Sequence, residues 1–367
     1  MSTQESDLTF VKLEKSLEKD RAQRLETWFR EKLLPATDVR LSSLTAPSGG
    51  AGFSGDTYIA TLNWRDGSDD KEQKFVLRAE LGAANCPESD FSKMVGLQKI
   101  LGDIPGLPVP KVYWSESDSA VLGGPFYVMH FSDGRVAPDS PPFAAEGWVK
   151  DATPDERRIM YQSGVDFLVK LHKLDWRALN MEFLMHKGTG ATQTRRHLDL
   201  VIGIYDRAMK GKRSALASDA IRWLEEHVPA TENLCATWGD ARLGNMLWRD
   251  YHCVAVLDWE MCTLAEPASD IAWWTFIERA FTEGRGVKLI SGMPSRDELV
   301  AMYETTAGKK LENFPYHEVF NGFRGLAIVT HMGKVWEKAG QQLFGPPGWE
   351  DNNPVTNTFR ELMAGYL

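Results

Sequence analysis

Cysteine is scarce: there are 4 in 367 residues, and Cys86, Cys235, Cys253 and Cys262 show no C-x-x-C spacing. That is too few for a disulfide framework and gives no pattern for structural zinc, so a reducing cytoplasm is the expected setting. No apolar run approaches the ~18 residues that span a bilayer, so no membrane partner is expected. The opening stretch MSTQESDLTFVKLEK lacks an apolar core behind a basic patch, and no secretory signal is read there. Basic residues are outnumbered, with Lys and Arg totalling 42 against 51 Asp and Glu, a net charge of −9. That balance argues against a general nucleic-acid partner and tolerates cationic substrates. Internal repeats and low-complexity tracts are absent as well. What is present is ordinary for a globular chain: 43% hydrophobic and 25% charged residues, at a length that suits two domains or one unit of two lobes.

The pattern of elements changes along the chain. Residues 8–34 read as an amphipathic helix, with Leu25, Trp28, Phe29 and Leu33 at helical spacing and Pro35 as its stop. β-forming runs follow at 39–44, 57–64 and 74–79, the last two joined by a polar turn at 66–71. A helix is expected over 90–101, and strands near 111–115 and 126–131. Prolines at 138, 141 and 142 mark a linker. From Pro154 onward long helical patterns dominate, interrupted by a β hairpin within 234–260. The chain therefore reads as a small β-rich lobe followed by a larger helical one, an α+β arrangement.

A literal G-x-G-x-x-G occurs at Gly50-Ala51-Gly52-Phe53-Ser54-Gly55. A dinucleotide fold needs a helix directly after such a loop, but residues 56–64 are strand-like. Strand–loop–strand is the arrangement that lays glycine-rich backbone over nucleotide phosphates in kinases. A plain hairpin loop remains the other reading of this segment. Arg78 ends the third strand, where a kinase carries its phosphate-anchoring cation, and a guanidinium can grip phosphate oxygens with two donors. The alternative for Arg78 is an exposed strand arginine beside Glu80.

The segment richest in chemistry is Trp238-Gly239-Asp240-Ala241-Arg242-Leu243-Gly244-Asn245, followed by Asp258-Trp259-Glu260. Asp240 and Asn245 have the D-x-x-x-x-N spacing of a kinase catalytic loop, in which the Asp accepts the proton of the attacking hydroxyl. A hairpin with its two-residue loop at Tyr251-His252 would pair Asp250 with Cys253. The same register would set Asn245 opposite Asp258, close enough to share a cation. An amide oxygen and a carboxylate are hard ligands that suit Mg2+ held partly by substrate phosphates. Turn capping could account for Asp240 or Asp258 singly, but not for the joint spacing.

At these residues the chain resembles the aminoglycoside phosphotransferase and choline-kinase-like family, from about residue 38 to the end. The resemblance rests on WGDARLGN, DWE at 258–260, EPASDIAWW, LHKLD at 171–175 and GGPFYVMH at 123–130. It is nearest the branch similar to kinase-like domains attached to some acyl-CoA dehydrogenases. The resemblance implies a bilobed protein-kinase-like α+β fold, with an antiparallel β N-lobe over 1–131 and a mainly helical C-lobe over 132–367. It implies ATP and Mg2+ as cofactors and a small-molecule hydroxyl as acceptor. Asp240 would be the base, and Asn245 and Asp258 the metal ligands. Gly50, Gly52, Ser54, Gly55 and Arg78 would hold phosphates, and the backbone of Met129, His130 and Phe131 would meet adenine. Glu260 and Arg242 would stand near metal or substrate, and Asp270 would support the catalytic loop.

Two departures are visible. Trp238 replaces the usual His of His-Gly-Asp, so the loop's supporting contacts must differ. The helix over 90–101 offers no Glu for Arg78, and Glu88 stands just before it. Elsewhere, His172 reads as a buried, satisfied helix histidine. Trp273 and Trp274 read as core or cleft wall. A protein kinase is disfavoured because H-R-D, D-F-G and A-P-E with an activation loop are missing. The alternative to an active small-molecule kinase is a nucleotide-binding pseudokinase module.

Overall fold

The structure, a computed structural model, describes residues 20–45, 56–80, 86–341 and 345–367. The chain divides into two compact units, Met1–Asn85 with Pro110–Phe131, and Cys86–Val109 with Ser132–Leu367.

In the first unit a helix, α1, is described over residues 20–32. Strands β1 (Thr37–Thr45), β2 (Asp56–Asp66), β3 (Asp69–Ala79), β4 (Val112–Glu116) and β5 (Phe126–His130) form one antiparallel sheet in the order β1-β2-β3-β5-β4. A one-turn helix, α3 (Ser119–Leu122), connects β4 to β5. Alternating positions Ala60 and Leu62, Phe75, Leu77 and Ala79, and Phe126 and Val128 point to one face, where Leu25, Trp28 and Phe29 of α1 cover them. The turn expected over 66–71 contracts to Gly67-Ser68. Gly67 has φ +61°, the first-position geometry that suits strand twist, so Asp69, Asp70 and Lys71 join the ladder opposite Asp66, Arg65 and Trp64. The glycine-rich loop lies outside the described residues.

The second unit is mainly helical. Helix α2 (Phe91–Gly102) is capped by Asp90, whose carboxylate accepts from Ser92 N and Lys93 N. It is followed by α4 (Trp148–Asp151), α5 (Pro154–His172), α6 (Gln193–Ala208), α7 (Ala215–Glu226), α8 (Pro267–Phe281), α9 (Arg296–Ala307), α10 (Phe314–Lys338) and α11 (Pro354–Met363). Capping boxes at Thr153–Glu156 and Ser295–Glu298 start α5 and α9. The core gathers α6, α7, α8, α10 and α11 around Leu198, Leu224, Phe276, Phe320, Phe323 and Phe359. Two small sheets sit among these helices: β6 (Arg135–Val136), β8 (Met246–Arg249) and β9 (His252–Val256) in one, and β7 (Cys235–Thr237) with β10 (Thr263–Ala265) in the other. Sequence patterning led to one hairpin only. β7 and β10 are three residues each and entirely buried, too short to show an alternation.

The boundary expected at 131 needs one correction, because the segment 86–109 belongs to the second unit. Lys93 Nζ donates to Leu184 O and Met185 O at 3.3 and 3.1 Å, and Val256 N donates to Pro108 O at 2.7 Å. Gly96 faces Phe183: a Cβ there would lie 3.1 Å from its ring. The helix position where a glutamate was missing is thus packed against the second unit's own side chains. Among the described residues no helix is long and apolar enough to cross a membrane.

Candidate active site

The hairpin that carries the site closes one residue earlier than its sequence suggests. Asp250 and Tyr251 have φ +50° and +64°, the paired left-handed geometry of a type I′ turn, so Arg249 pairs with His252. A bulge then leaves Val254 extra in β9, and Met246 pairs with Val256. Asn245 consequently stands across from Leu257, whose N donates to Asn245 O at 2.9 Å, and not across from Asp258. Asp258 follows directly, with φ +59°. That conformation is uncommon for a residue bearing a Cβ, though Asp tolerates it better than most. It re-aims the chain where a direct cross-strand pair had been expected.

In the loop after β7, Asp240 is buried and its carboxylate accepts three hydrogen bonds. Asn245 Nδ2 donates to its Oδ2 at 2.6 Å and to its backbone O at 3.1 Å. Trp273 Nε1 donates to Oδ1 at 2.6 Å, and Arg242 Nε reaches Oδ2 at 3.3 Å. With its amide hydrogens on Asp240, Asn245 is left with Oδ1 as its free acceptor end. Asp270, on the first turn of α8, holds the loop from beneath. Its two oxygens accept from Trp238 N and Gly239 N, each at 2.8 Å. His172 Nε2 also bonds Asp270 at 3.0 Å, while its Nδ1 meets Tyr303 OH at 2.8 Å. The histidine is buried and satisfied, as its helical setting suggested.

Trp238 takes up a support of its own. Its indole N–H reaches Leu257 O and Asp258 O at 2.9 and 3.0 Å, linking the Asp240 loop to the Asp258 segment. Gly239 lies where the two segments touch: its φ is +89°, and a Cβ there would come 2.0 Å from Met261 O. No other residue type fits that position.

Arg242 is ringed by carboxylates. It pairs with Asp139, and Gly244 packs against this pair. Burial pulls the guanidinium's pKa down, but Asp240, Asp139 and Asp258 outweigh it and hold Arg242 above its ordinary range. Three carboxylates facing one guanidinium leave net negative charge, which suits a divalent cation. Among the described residues no three His, Cys, Asp or Glu side chains form a metal-binding group. An amide oxygen and a carboxylate, the groups Asn245 and Asp258 carry, are hard donors of the kind Mg2+ takes alongside phosphate and water. Glu260 is buried two residues beyond Asp258.

The residues expected to meet nucleotide lie in the first unit. Arg78 pairs with Thr57 on one side and Tyr127 on the other, at the end of β3. Met129 is buried in β5 opposite Val76, and His130 N donates to Lys111 O at 2.8 Å. Phe131 lies beneath Lys74 Nζ at 5.3 Å. Gly50, Gly52, Ser54 and Gly55 fall outside the described residues. Glu88, weighed as a partner for Arg78, is instead buried in the second unit between Arg324 and His197. The four thiols are unpaired, and burial pushes those of Cys253 and Cys262 up to about 12.

Sequence reasoning missed Trp273, Arg324 and Asp139. Trp273 had a local signal, since it follows Asp270 by three residues on α8 and so shares its face. Arg324 and Asp139 reach the loop from distant segments and had none.

The phosphotransferase enzyme family profile matches residues 49–308. Acyl-CoA dehydrogenase family member 11 from Pongo abelii is 28% identical over 98% of this chain and 44% of its own length. The human protein of that name is 29% identical over 82% of this chain and 37% of its own. The chain thus spans less than half the length of these curated relatives. Among solved structures, a protein assigned as an aminoglycoside phosphotransferase from Ralstonia eutropha JMP134 superposes with a TM-score of 0.67 at 20% identity, covering 94% of this chain and 98% of that one. A thermostable variant of aminoglycoside phosphotransferase APH(4)-Ia, solved in ternary complex with ADP and hygromycin B, gives 0.52 at 16% identity, over 91% of this chain and 98% of its own. The chain belongs to the phosphotransferase enzyme family and has the protein-kinase-like α+β fold of these solved structures.

Proposed function

We propose that this chain transfers the γ-phosphoryl group of ATP to a hydroxyl of a small molecule, with Asp240 as base and Mg2+ held by Asn245 and Asp258. The observation that carries the reading is the 2.6 Å bond from Asn245 Nδ2 to Asp240 Oδ2, which ties the base to a metal ligand on one rigid loop. The acceptor oxygen attacks the γ-phosphorus, the bond to ADP breaks, and the hydroxyl proton passes late to Asp240. Three donors on the carboxylate fix its orientation, which fits a group that positions the acceptor hydroxyl. Mg2+, when bound, neutralises phosphate charge. Asp270 fixes the loop, and Glu260 and Arg242 flank the metal and acceptor. The first unit supplies Arg78 and the backbone of Gly50, Gly52, Ser54 and Gly55 for the phosphates, and Met129, His130 and Phe131 for adenine. This is the division of labour expected of lobes 1–131 and 132–367, with 86–109 serving the second.

Hydroxyacyl thioesters head the candidate acceptors, because the curated relatives carry an acyl-CoA dehydrogenase name. Aminoglycosides, amino alcohols of the choline type and sugars follow. Neither nucleic acid nor a membrane is part of the reading, and four unpaired thiols suit a cytoplasmic setting. ATP consumption over these four acceptor classes tests it: product is expected with at least one. ATP with Mg2+ is expected to raise the melting temperature, and Asp258→Ala to lose most of the Mg2+-dependent part of that rise. An undiminished Mg2+-dependent rise in Asp258→Ala removes Asp258 from the metal site. Tight ATP binding without product on any class makes the chain a pseudokinase module.

A further inference from the structure

A buried arginine far along the chain closes on both segments of the site. Arg324, on α10, has a side chain 1% exposed. Its Nε and Nη2 donate to Glu88 Oε1 and Oε2 at 2.7 and 2.9 Å, a two-pronged pair. Nη1 donates to Gly239 O at 3.0 Å, and Nη2 also reaches Met261 O at 3.4 Å. Gly239 directly precedes Asp240, and Met261 directly follows Glu260. The guanidinium lies 5.1 Å over the ring of Trp273, whose indole N–H holds Asp240 Oδ1. Gly239 is thereby fixed at both ends, its N–H by Asp270 from α8 and its C=O by Arg324 from α10.

Glu88 is built to aim this fork. It takes a third donor, His197 Nε2, at 2.9 Å, and neighbouring Cys86 packs in a cluster with Met261 and Trp273. Burial pushes the Glu88 carboxyl up, yet Arg324 and His197 outweigh it and keep the group well below the usual carboxylate range. The pair is therefore charged on both sides. An arginine presents its donors in a rigid plane, whereas a lysine's three N–H donors cannot make the two-pronged grip on the carboxylate and also reach both carbonyls.

We infer that Arg324 is a positioning residue for phosphoryl transfer, aimed by Glu88, which holds the Asp240 loop in register with the segment of Asp258 and Glu260 through Gly239 O, Met261 O and Trp273. The consequence for catalysis rests on the reading of Asp240 as base.

Arg324→Lys in the full chain keeps the charge that Glu88 needs and loses the fork. Hydrogen exchange is read on peptides covering 236–246 and 258–264, with or without a known acceptor. These peptides are expected to exchange at least about tenfold faster than in wild type, while peptides of α6 and α7 keep their rates. With the hydroxyl compound that wild type phosphorylates, kcat is expected to fall on the order of 10–100-fold, with the KM for ATP within about threefold. Unchanged exchange in the two peptides overturns the inference. Uniform acceleration across the second unit does so too, since that marks lost stability and not lost positioning. If Arg324→Lys does not fold, Glu88→Gln is the substitute, and the same two peptides are expected to loosen several-fold. Asp240→Asn in the same assay separates the claims. Full turnover there, with a loosened loop in Arg324→Lys, rejects the base and keeps the clamp. Lost turnover there, with wild-type kcat and exchange in Arg324→Lys, keeps the base and rejects the clamp.

Discussion

Gly239 carries the tightest steric constraint around the proposed base. Its φ of +89° is strained for any other residue, and a Cβ would meet Met261 O at 2.0 Å, so backbone must move to admit even alanine. Gly239→Ala is expected to cost more than about 3 kcal/mol in denaturant unfolding, the sum of strain and overpacking. Gly67→Ala is the control: its φ is +61° but nothing lies within 4 Å, and about 1 kcal/mol is expected. Equal costs would mean that the contact with Met261 is not as described. Trp273 is a different kind of residue, buried beside Met261 and Ile277 and bonded to the proposed base at 2.6 Å. Trp273→Phe keeps most of the ring and removes the donor. A fall in kcat of about tenfold is expected, because a hydrogen bond to a charged group is worth about 1.5–3 kcal/mol. Wild-type kcat in Trp273→Phe would remove this donor from the mechanism. Asp240 and Asn245 were legible in the sequence because five residues of chain carry their relation. Arg324 was not, because its bond to Gly239 spans 85 residues and exists only once α10 has packed. Trp273 carried a local signal beside Asp270 on α8, which by itself reads only as core or cleft wall.

Among the elements, helices were legible from their spacing and from Pro154 onward, while the side chains that close their ends went unread. Thr153 with Glu156 and Ser295 with Glu298 form the capping boxes at which α5 and α9 start. The site hairpin was legible as a hairpin but not in its register. Nothing in Asp250-Tyr251-His252 declares which two residues take positive φ, and the bulge at Val254 leaves no mark in composition. A second buried device joins α5 to α8: Tyr161 OH and Trp274 Nε1 both donate to Glu278, which lines a cavity of about 300 Å3. Burial raises the Glu278 carboxyl to about 7, with Asp139 adding to the rise and the two donors opposing it. A carboxyl whose folded-state pKa is raised favours folding below its unfolded value, and that contribution is lost as pH climbs through the folded value. Stability is therefore expected to fall between about pH 4.5 and 7, by on the order of 3 kcal/mol from this group. Glu278→Gln is expected to flatten that slope in denaturant melts across the same range, and an unchanged slope would refute the assignment.

For the molecule as a whole, the sequence resolved two units of different character because one reads as alternating strands and the other as long helices. It misassigned residues 86–109, since a helix next to strands looks like their neighbour until Lys93, Gly96 and Glu88 find their partners in the second unit. The net charge of −9 tolerates a cationic acceptor but does not select one. What unites the second unit's network is where it converges: Asn245, Trp273 and Arg242 bond the Asp240 carboxylate, and Asp270 and Arg324 bond Gly239 just before it. The most direct test follows labelled γ-phosphate from ATP to the acceptor hydroxyl, in wild type and in Asp240→Asn, with ATP affinity measured alongside. Transfer by wild type that falls about 10²–10⁴-fold in Asp240→Asn, at ATP affinity unchanged within about twofold, is the expected result. Equal transfer by the two proteins would contradict it.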